Sequence, residues 1–424
     1  MKRRGFLTTA AAAALLPAQV LRGQASAARV TVVGGGFAGA SCARSLRRAD
    51  PRIVVTLVEQ STVFHACPMS NAVIAGLREM DRQRFTYKAV QADGVALAPL
   101  AATAVDPRAR SVALSDGTRL GYDRLILAPG IDLRWDALPG YDEAAAEQMP
   151  HAWQAGEQTL LLRRQLQAMD DGGLVVISAP AGPYRCPPGP YERASLIAWY
   201  LKAHKPRSKV IVLDAKDKFS KQQVFLDAWS ELYPGLIEWV PLSRGGQVVS
   251  VEPATRTLVT DFDRVRAAVA NVIAPQKAGR IAAAAGVANR SGWCPIDPVT
   301  FESRLQPNIH VIGDAAITGA MPKSAFGAHA EAKHCALAVA ALLAGREPAS
   351  PTLSNACFSL VAPDYGISVA GIYRPDGLEL AQVPGSEAPG SGGPGAADSP
   401  RASRAFEARN AEAGFRTLTA EVFE

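Results

Sequence analysis

The sequence predicts an α/β fold with two Rossmann-like dinucleotide-binding domains and a β-rich C-terminal unit. Three observations predict it. Arg29–Glu59 reads as a β-branched strand, a glycine-rich turn, an Ala/Leu/Arg helix and a second apolar strand closed by an acid. Gly173–Asp214 repeats that order of elements without the glycines, and Asn355–Val369 opens a stretch of strand character.

At 424 residues the chain is long enough for two or three domains with substantial cores. Its 48% apolar and 20% charged residues suit a soluble α/β protein, and past the N-terminus no apolar run is long enough to span a bilayer. Residues 1–27 differ. Lys2-Arg3-Arg4-Gly5-Phe6-Leu7 leads into an Ala-rich stretch to about Leu16, and Ala25-Ser26-Ala27 offers a small-residue cleavage site. This is the pattern of a signal peptide, and the paired arginines before Phe-Leu point to twin-arginine export of a folded protein to the periplasm. Without the leader's Lys2, Arg3, Arg4 and Arg22 the formal charge falls from +6 to +2, which leaves little case for nucleic acid binding. The six cysteines match no zinc or haem spacing, and metal ligation is not expected; in the periplasm they can include a disulfide.

In the first unit Gly34 permits the tight turn. Gly36 lets the backbone approach a pyrophosphate at the N-terminus of the helix that begins with Phe37 and Ala38, and Gly39 lets that helix pack close on the strand. Glu59, about twenty residues past the last glycine, can accept hydrogen bonds from a ribose diol. Ser61–Asn71 leaves this acid and, if the nucleotide is FAD, runs toward the flavin. There Cys67 either meets the isoalloxazine edge or packs as a small hydrophobe. Short strands fill residues 94–123, and the strand Tyr122–Leu127 ends in Ala128-Pro129-Gly130, which closes back onto the nucleotide.

The second unit carries Ala179-Pro180-Ala181-Gly182-Pro183-Tyr184-Arg185-Cys186-Pro187-Pro188-Gly189-Pro190-Tyr191-Glu192-Arg193 where a glycine turn is due. Prolines lack the N–H donors that cradle phosphate, so a nicotinamide dinucleotide is poorly served. Cys186 stands instead just before a helix that Pro190 can start. Beside Arg185 and Arg193 its thiol pKa is expected below the free value of about 8.5, which marks it as reactive. Glu192, in the first turn, is read first as a cap on the helix dipole and second as an acid or base beside Cys186.

Asn308–Ile312 is a strand that ends in Gly313-Asp314, and Asp314 can accept from ribityl hydroxyls ahead of a helix over roughly 328–343. Cys42, Cys294 and Cys335 read as core. Cys357 is a candidate partner for Cys186, although spacing alone does not fix a pairing. Residues 384–403, rich in Gly, Pro, Ser and Ala, read as mobile, and a short polar helix over about 405–423 ends the chain.

Taken together, Arg185–Arg193, Gly292-Trp293-Cys294-Pro295, Met321-Pro322-Lys323-Ser324 and Ala362-Pro363-Asp364-Tyr365-Gly366-Ile367-Ser368-Val369 make the chain resemble the flavoprotein subunits of flavocytochrome c sulfide dehydrogenases, from Arg29 to about Pro375. The resemblance implies a glutathione reductase-like fold. An FAD domain over 28–150 and 291–349 is interrupted by a second dinucleotide-like domain over 151–290 and followed by a C-terminal α+β interface domain over 350–424. It implies FAD bonded covalently through Cys67 and contacted by Lys323, a redox-active disulfide between Cys186 and Cys357, and Glu192 as base.

The activity implied is sulfide oxidation. Hydrosulfide opens the disulfide, and two electrons pass to flavin and then singly to a separate c-type cytochrome subunit, since this chain has no C-x-x-C-H for a haem. Two alternatives stand beside it. A sulfide:quinone oxidoreductase-like enzyme would need an amphipathic membrane seat, which the acidic segment Ala405–Glu424 makes poorly; a non-catalytic flavoprotein partner of periplasmic sulfur-oxidising proteins would show no turnover with sulfide.

Overall fold

The computed structural model describes residues 27–386, 388–390 and 400–424. The expected signal peptide, apart from Ala27, and residues 387 and 391–399 of the expected mobile segment lie outside the described residues. In chain order the elements that position the site are β1 (Arg29–Val33), α1 (Phe37–Ala49), β2 (Val54–Val58), α2 (Ser70–Ile74), β3 (Ala96–Ala98), β4 (Arg124–Leu127), β5 (Leu174–Ala179) and α3 (Gly189–His204). They continue with β6 (Lys209–Asp214), α4 (Gln222–Leu232), β7 (Ile237–Val240), β8 (Val269–Val272), β9 (Ile309–Val311), α5 (Ala325–Leu343), β10 (Leu353–Ala362), β11 (Tyr365–Asp376) and α6 (Pro400–Phe423).

The first sheet has the parallel order β9-β4-β1-β2-β3. Its central strands are nearly continuous runs of Val, Leu and Ile because both faces are covered, as parallel sheets require. Parallel pairing puts the turn after Val33, the small residues after Leu127 and Gly313-Asp314 after Val311 on one edge, where ligands of open α/β sheets bind. The second sheet, β7-β6-β5-β8, is also parallel, and its edge presents the loop that holds Cys186. The β10–β11 antiparallel hairpin stands against α3 and sets Cys357 opposite Val369.

The C-terminal helix departs from the sequence reading. It is neither short nor wholly polar: α6 spans 24 residues and buries Ala408, Ala411, Phe415, Leu418, Val422 and Phe423. The apolar positions are spread among charged ones, so the stripe is legible only once its receiving surface is known. That surface is β11, where a Cβ on Gly366 would lie 2.3 Å from the Ala408 nitrogen, together with α1 and an aromatic cluster. Phe423 stacks on Phe64 and Phe85 at ring centroids of 5.1 and 5.2 Å and meets Phe37 edge-on at 5.7 Å. Polar ties reinforce the contact. Ser41 Oγ and His329 Nδ1 lie 2.7 Å apart, His329 Nε2 and Glu421 Oε2 2.8 Å apart, and Arg44 donates to the Glu421 carbonyl.

Candidate active site

The glycine turn is as tight as the spacing predicts. Gly34 has φ +102°, and a Cβ there would sit 2.2 Å from the Ala128 carbonyl oxygen; one on Gly39 would sit 1.7 Å from the Gly34 oxygen. A Cβ on Gly36 would meet only the Phe64 ring, at 3.5 Å, so that face of the turn is free of backbone. Phe37 and Ala38 are buried at the start of α1, whose Gly36 N-cap offers no side-chain acceptor to the first N–H groups. The Glu59 carboxylate is held at the end of β2, accepting from Gly35 N at 2.7 Å and Ser61 N at 2.9 Å. Gly130 has φ +62° and open space where a Cβ would be.

Cys186, Glu192 and Cys357, from the loop before α3, its first turn and β10, converge on one site. Cys186 is held by its backbone: its N–H donates to the Lys323 carbonyl at 2.9 Å and its carbonyl accepts from Gly189 N, with φ +56°. The two thiols are not bonded to each other in this structure, yet the charge of Cys357 acts on Cys186. The expectation of a depressed Cys186 pKa is overturned. Burial pushes the thiol well above its ordinary value, Cys357 and Glu192 add to the rise, and Lys221 and Arg185 oppose it without prevailing. Burial also raises Cys357.

Glu192 lies in the first turn of α3, as the dipole-capping reading placed it, but its carboxyl is committed elsewhere. No side chain caps α3. Glu192 Oε1 accepts from Leu360 N at 2.8 Å and Oε2 from Asn71 Nδ2 at 2.8 Å, so the carboxyl joins three elements, and burial raises its pKa against both bonds.

Arg185 lies at the hub of the remaining predicted residues. Burial lowers its pKa, but the charges of Cys67, Asp314 and Cys186 outweigh that and raise it; its guanidinium reaches the Trp153 carbonyl and stands 3.9 Å from Asp314 Oδ2. Cys67 is only partly buried, with Sγ 3.7 Å from the Trp153 carbonyl oxygen. Lys323 packs its ammonium 4.4 Å over the Trp293 ring and donates to the Ala316 carbonyl at 2.5 Å. The remaining core expectations hold, with Cys42, Cys294 and Cys335 fully buried.

FAD fits these residues. Asp314 Oδ1 is buried with no partner among the described residues, at the strand end where ribityl hydroxyls would supply donors. The bare face of Gly36 and the uncapped start of α1 suit a diphosphate.

The second sheet does not offer the same grip. Asp214, at the end of β6 where a ribose acid would stand, is fully buried and already accepts from Tyr191 Oη at 2.6 Å, Trp239 Nε1 at 2.9 Å and Lys216 Nζ at 2.6 Å. Phe219 stacks on Tyr191 at 3.6 Å and fills the space beside it.

Sequence reasoning missed three site residues. Asn71 bonds both Glu192 and, through Oδ1, Arg193 Nε at 3.0 Å. Glu331 accepts from Gly313 N at 2.6 Å, and burial raises its pKa to about 8. Lys221 donates to the Cys357 carbonyl at 3.1 Å and Ser359 Oγ at 2.8 Å. Each lies far in sequence from the groups it serves, inside segments with no motif; only the i, i+2 alternation of Cys357 and Ser359 on a strand hints at a shared contact.

The glycine turn and the paired parallel sheets are those of the flavin-dependent pyridine nucleotide-disulphide oxidoreductases, whose family model matches residues 28–176. Within that class the chain belongs to the flavoprotein chains of flavocytochrome c sulfide dehydrogenase. Residues 159–274 match the central-domain model of that flavoprotein chain, and residues 349–423 match its flavin-binding model. The sulfide dehydrogenase flavoprotein chain of Chlorobaculum thiosulfatiphilum is 67% identical over 45 residues, which are 94% of that relative's sequence and 11% of this chain. The mouse mitochondrial sulfide:quinone oxidoreductase is 23% identical over 67% of this chain and 65% of its own length. Among solved structures, the sulfide:quinone oxidoreductase of Aquifex aeolicus shares the fold, with TM-score 0.70 and 19% identity over 93% of this chain and 92% of that one.

Proposed function

We propose that the protein is a periplasmic sulfide dehydrogenase flavoprotein in which hydrosulfide attacks a disulfide between Cys186 and Cys357 and the electrons leave through FAD to a c-type cytochrome subunit. The observation that carries the reading is the convergence of two cysteines and a carboxyl of raised pKa beside the flavin-binding edge. Family membership and the sulfide-oxidising relatives support the substrate. The cytochrome partner rests on the family's name. Twin-arginine export of residues 1–27 and the division into domains at 150, 290 and 349 are proposed with it. No helix among the described residues is long and apolar enough to cross a membrane.

FAD, when bound, would accept a pair of electrons from the sulfur centre and release them singly. Gly34, Gly36, Gly39, Glu59, Ala128, Gly130, Asp314 and Lys323 would hold it, and Cys67 would bond it covalently. The chain's own residues do the rest. Glu192, its pKa raised by burial, takes the proton of hydrogen sulfide and leaves the hydrosulfide anion as nucleophile. The Cys186 N–H is fixed on the Lys323 carbonyl, and the Glu192 carboxyl ties α3 to Leu360 on the strand of Cys357, so exchange between the sulfurs is intramolecular. The filled space at Asp214 favours this reading over a nicotinamide-dependent reductase. The test is an anaerobic titration of the purified protein with sulfide and, separately, NADH, followed by flavin absorbance: bleaching by sulfide alone is expected, and bleaching by NADH alone would overturn the assignment.

A further inference from the structure

We propose that the Trp153 indole N–H and the Arg193 guanidinium stacked on that ring form the subsite that holds the hydrosulfide anion beside Cys186. This rests on the sulfide reading above and adds to it the place where the substrate is held.

Two buried groups carry it. Trp153, in the segment ahead of β5, is 6% exposed, and its Nε1 has no partner among the described residues. The rest of the residue is committed: its backbone N–H donates to His151 Nδ1 at 2.9 Å, and its carbonyl faces Arg185 and, at 3.7 Å, Cys67 Sγ. An indole N–H shut away from water without an acceptor forfeits a hydrogen bond that solvent would supply, so an acceptor is due there. Its position says where. A Cβ on Gly189 would lie 2.7 Å from Trp153 Cη2, 3.4 Å from Cζ2 and 3.1 Å from Cys186 Sγ, so the sulfur and one edge of the indole border the same point. Cζ2 and Nε1 are both bonded to Cε2, so the N–H belongs to that edge. It makes no bond to Sγ itself, and the acceptor it fits is an atom set against the sulfur.

Arg193 supplies the charge. Its Cζ stands 5.0 Å from the centre of the Trp153 ring, and the residue is buried. Nε donates to Asn71 Oδ1, Nη1 to the His151 carbonyl and Asn271 Oδ1, and Nη2 to the Ala152 carbonyl. Every one of these acceptors is neutral. The adjacent carboxyl, Glu192, gives its oxygens to Leu360 N and Asn71 Nδ2, and Arg185, the other cation of the loop, stands 3.9 Å from Asp314 Oδ2. A buried cation without a counter-ion is unfavourable, and an anion bound beside it offsets the loss. A monoanion with one heavy atom meets all of this: one acceptor for one N–H, a polarisable sulfur against an aromatic edge, and a negative charge in the field of Arg193.

The experiment uses the FAD-loaded mature protein and bromide, a redox-inert monoanion similar in size to hydrosulfide. In sulfide-driven flavin reduction bromide is expected to raise the apparent sulfide constant and leave the limiting rate alone. In a bromide-soaked crystal its anomalous signal should lie within hydrogen-bond distance of Trp153 Nε1. An absence of competition, or bromide bound only elsewhere, overturns the proposal. Trp153→Phe keeps a ring under Arg193 and removes the N–H. It should weaken sulfide and bromide together by about tenfold or more, with the limiting rate within about twofold of wild type. A displaced oxidised-flavin spectrum or lost flavin, with the sulfide constant unchanged, would assign the N–H to the flavin and overturn the subsite. Arg193→Gln removes the charge and should abolish competition by bromide; competition that persists would take Arg193 out of the site. Where that variant does not fold, Trp153→Phe and the bromide position still decide. Failure of sulfide to reduce the wild-type flavin would instead sink the parent reading, which keeps the two outcomes apart.

Discussion

Glu192 Oε1 accepts a 2.8 Å hydrogen bond from the Leu360 backbone N–H, which ties the helix behind Cys186 to the strand that carries Cys357. A carboxyl that acts on both thiols is thereby fixed by main chain on one oxygen and by the Asn71 side chain on the other.

Glu192→Gln keeps the acceptor for Leu360 and removes the base. Sulfide-driven flavin reduction in this variant should fall by about 10²–10⁴-fold, with flavin content unchanged. Stopped-flow absorbance reads it, and a wild-type rate would exclude Glu192 as base.

Cys357→Ser should stay yellow and lose sulfide-driven bleaching. Full activity in that variant would take the disulfide out of the mechanism.

Asp214→Ala removes the acceptor of three donors at once, the buried Tyr191 and the partly buried Trp239 and Lys216. Stability should drop by roughly 3–5 kcal/mol in urea titration, the range for breaking a buried charged pair. No NADH-driven bleaching should appear in exchange, because the prolines of the 180–190 loop remain.

His151 sets an acid limit. Burial holds its imidazole down to about 3, with the Arg193 and Arg185 charges adding to the effect, and its Nδ1 accepts from Trp153 N at 2.9 Å. Neutral in both states above pH 6.5, it contributes its full stability there. Below that the unfolded chain takes up a proton that the folded one refuses, and stability falls toward pH 3 by about 1.4 kcal/mol per unit. Roughly 2 kcal/mol should be gone at pH 5. His151→Asn, which retains an acceptor for Trp153, should flatten the melting temperature between pH 5 and 7; an unaltered slope would assign the loss elsewhere.

Phe423→Ala should cost roughly 3–5 kcal/mol through the stacked rings of Phe64 and Phe85. Hydrogen exchange localised to α6 would show it, and uniform exchange would place the loss outside the aromatic cluster.

The elements that sequence made legible are those with local signals. Val30 to Val33, the glycines and Glu59 announce a strand, a turn and a second strand end within thirty-odd residues, and the structure keeps them in register. Cys186 declared itself through its proline frame. Its pKa did not, because burial and the facing Cys357 come from 171 residues away in sequence. The hydrogen bonds of Glu192 were hidden for the same reason: helix position is local, whereas Leu360 and Asn71 are not. Lys221 and α6 needed the tertiary fold to acquire meaning, one through a single strand contact and the other through an aromatic surface assembled from β-strands and α1.

The aromatic cluster joins distant parts of the chain: Phe37 opens the first helix and Phe423 closes the last. During synthesis the glycine turn therefore emerges long before Phe423, and Phe37 gains this aromatic partner only when α6 has been made. A purification tag fused after Glu424 would begin one residue from those stacked rings.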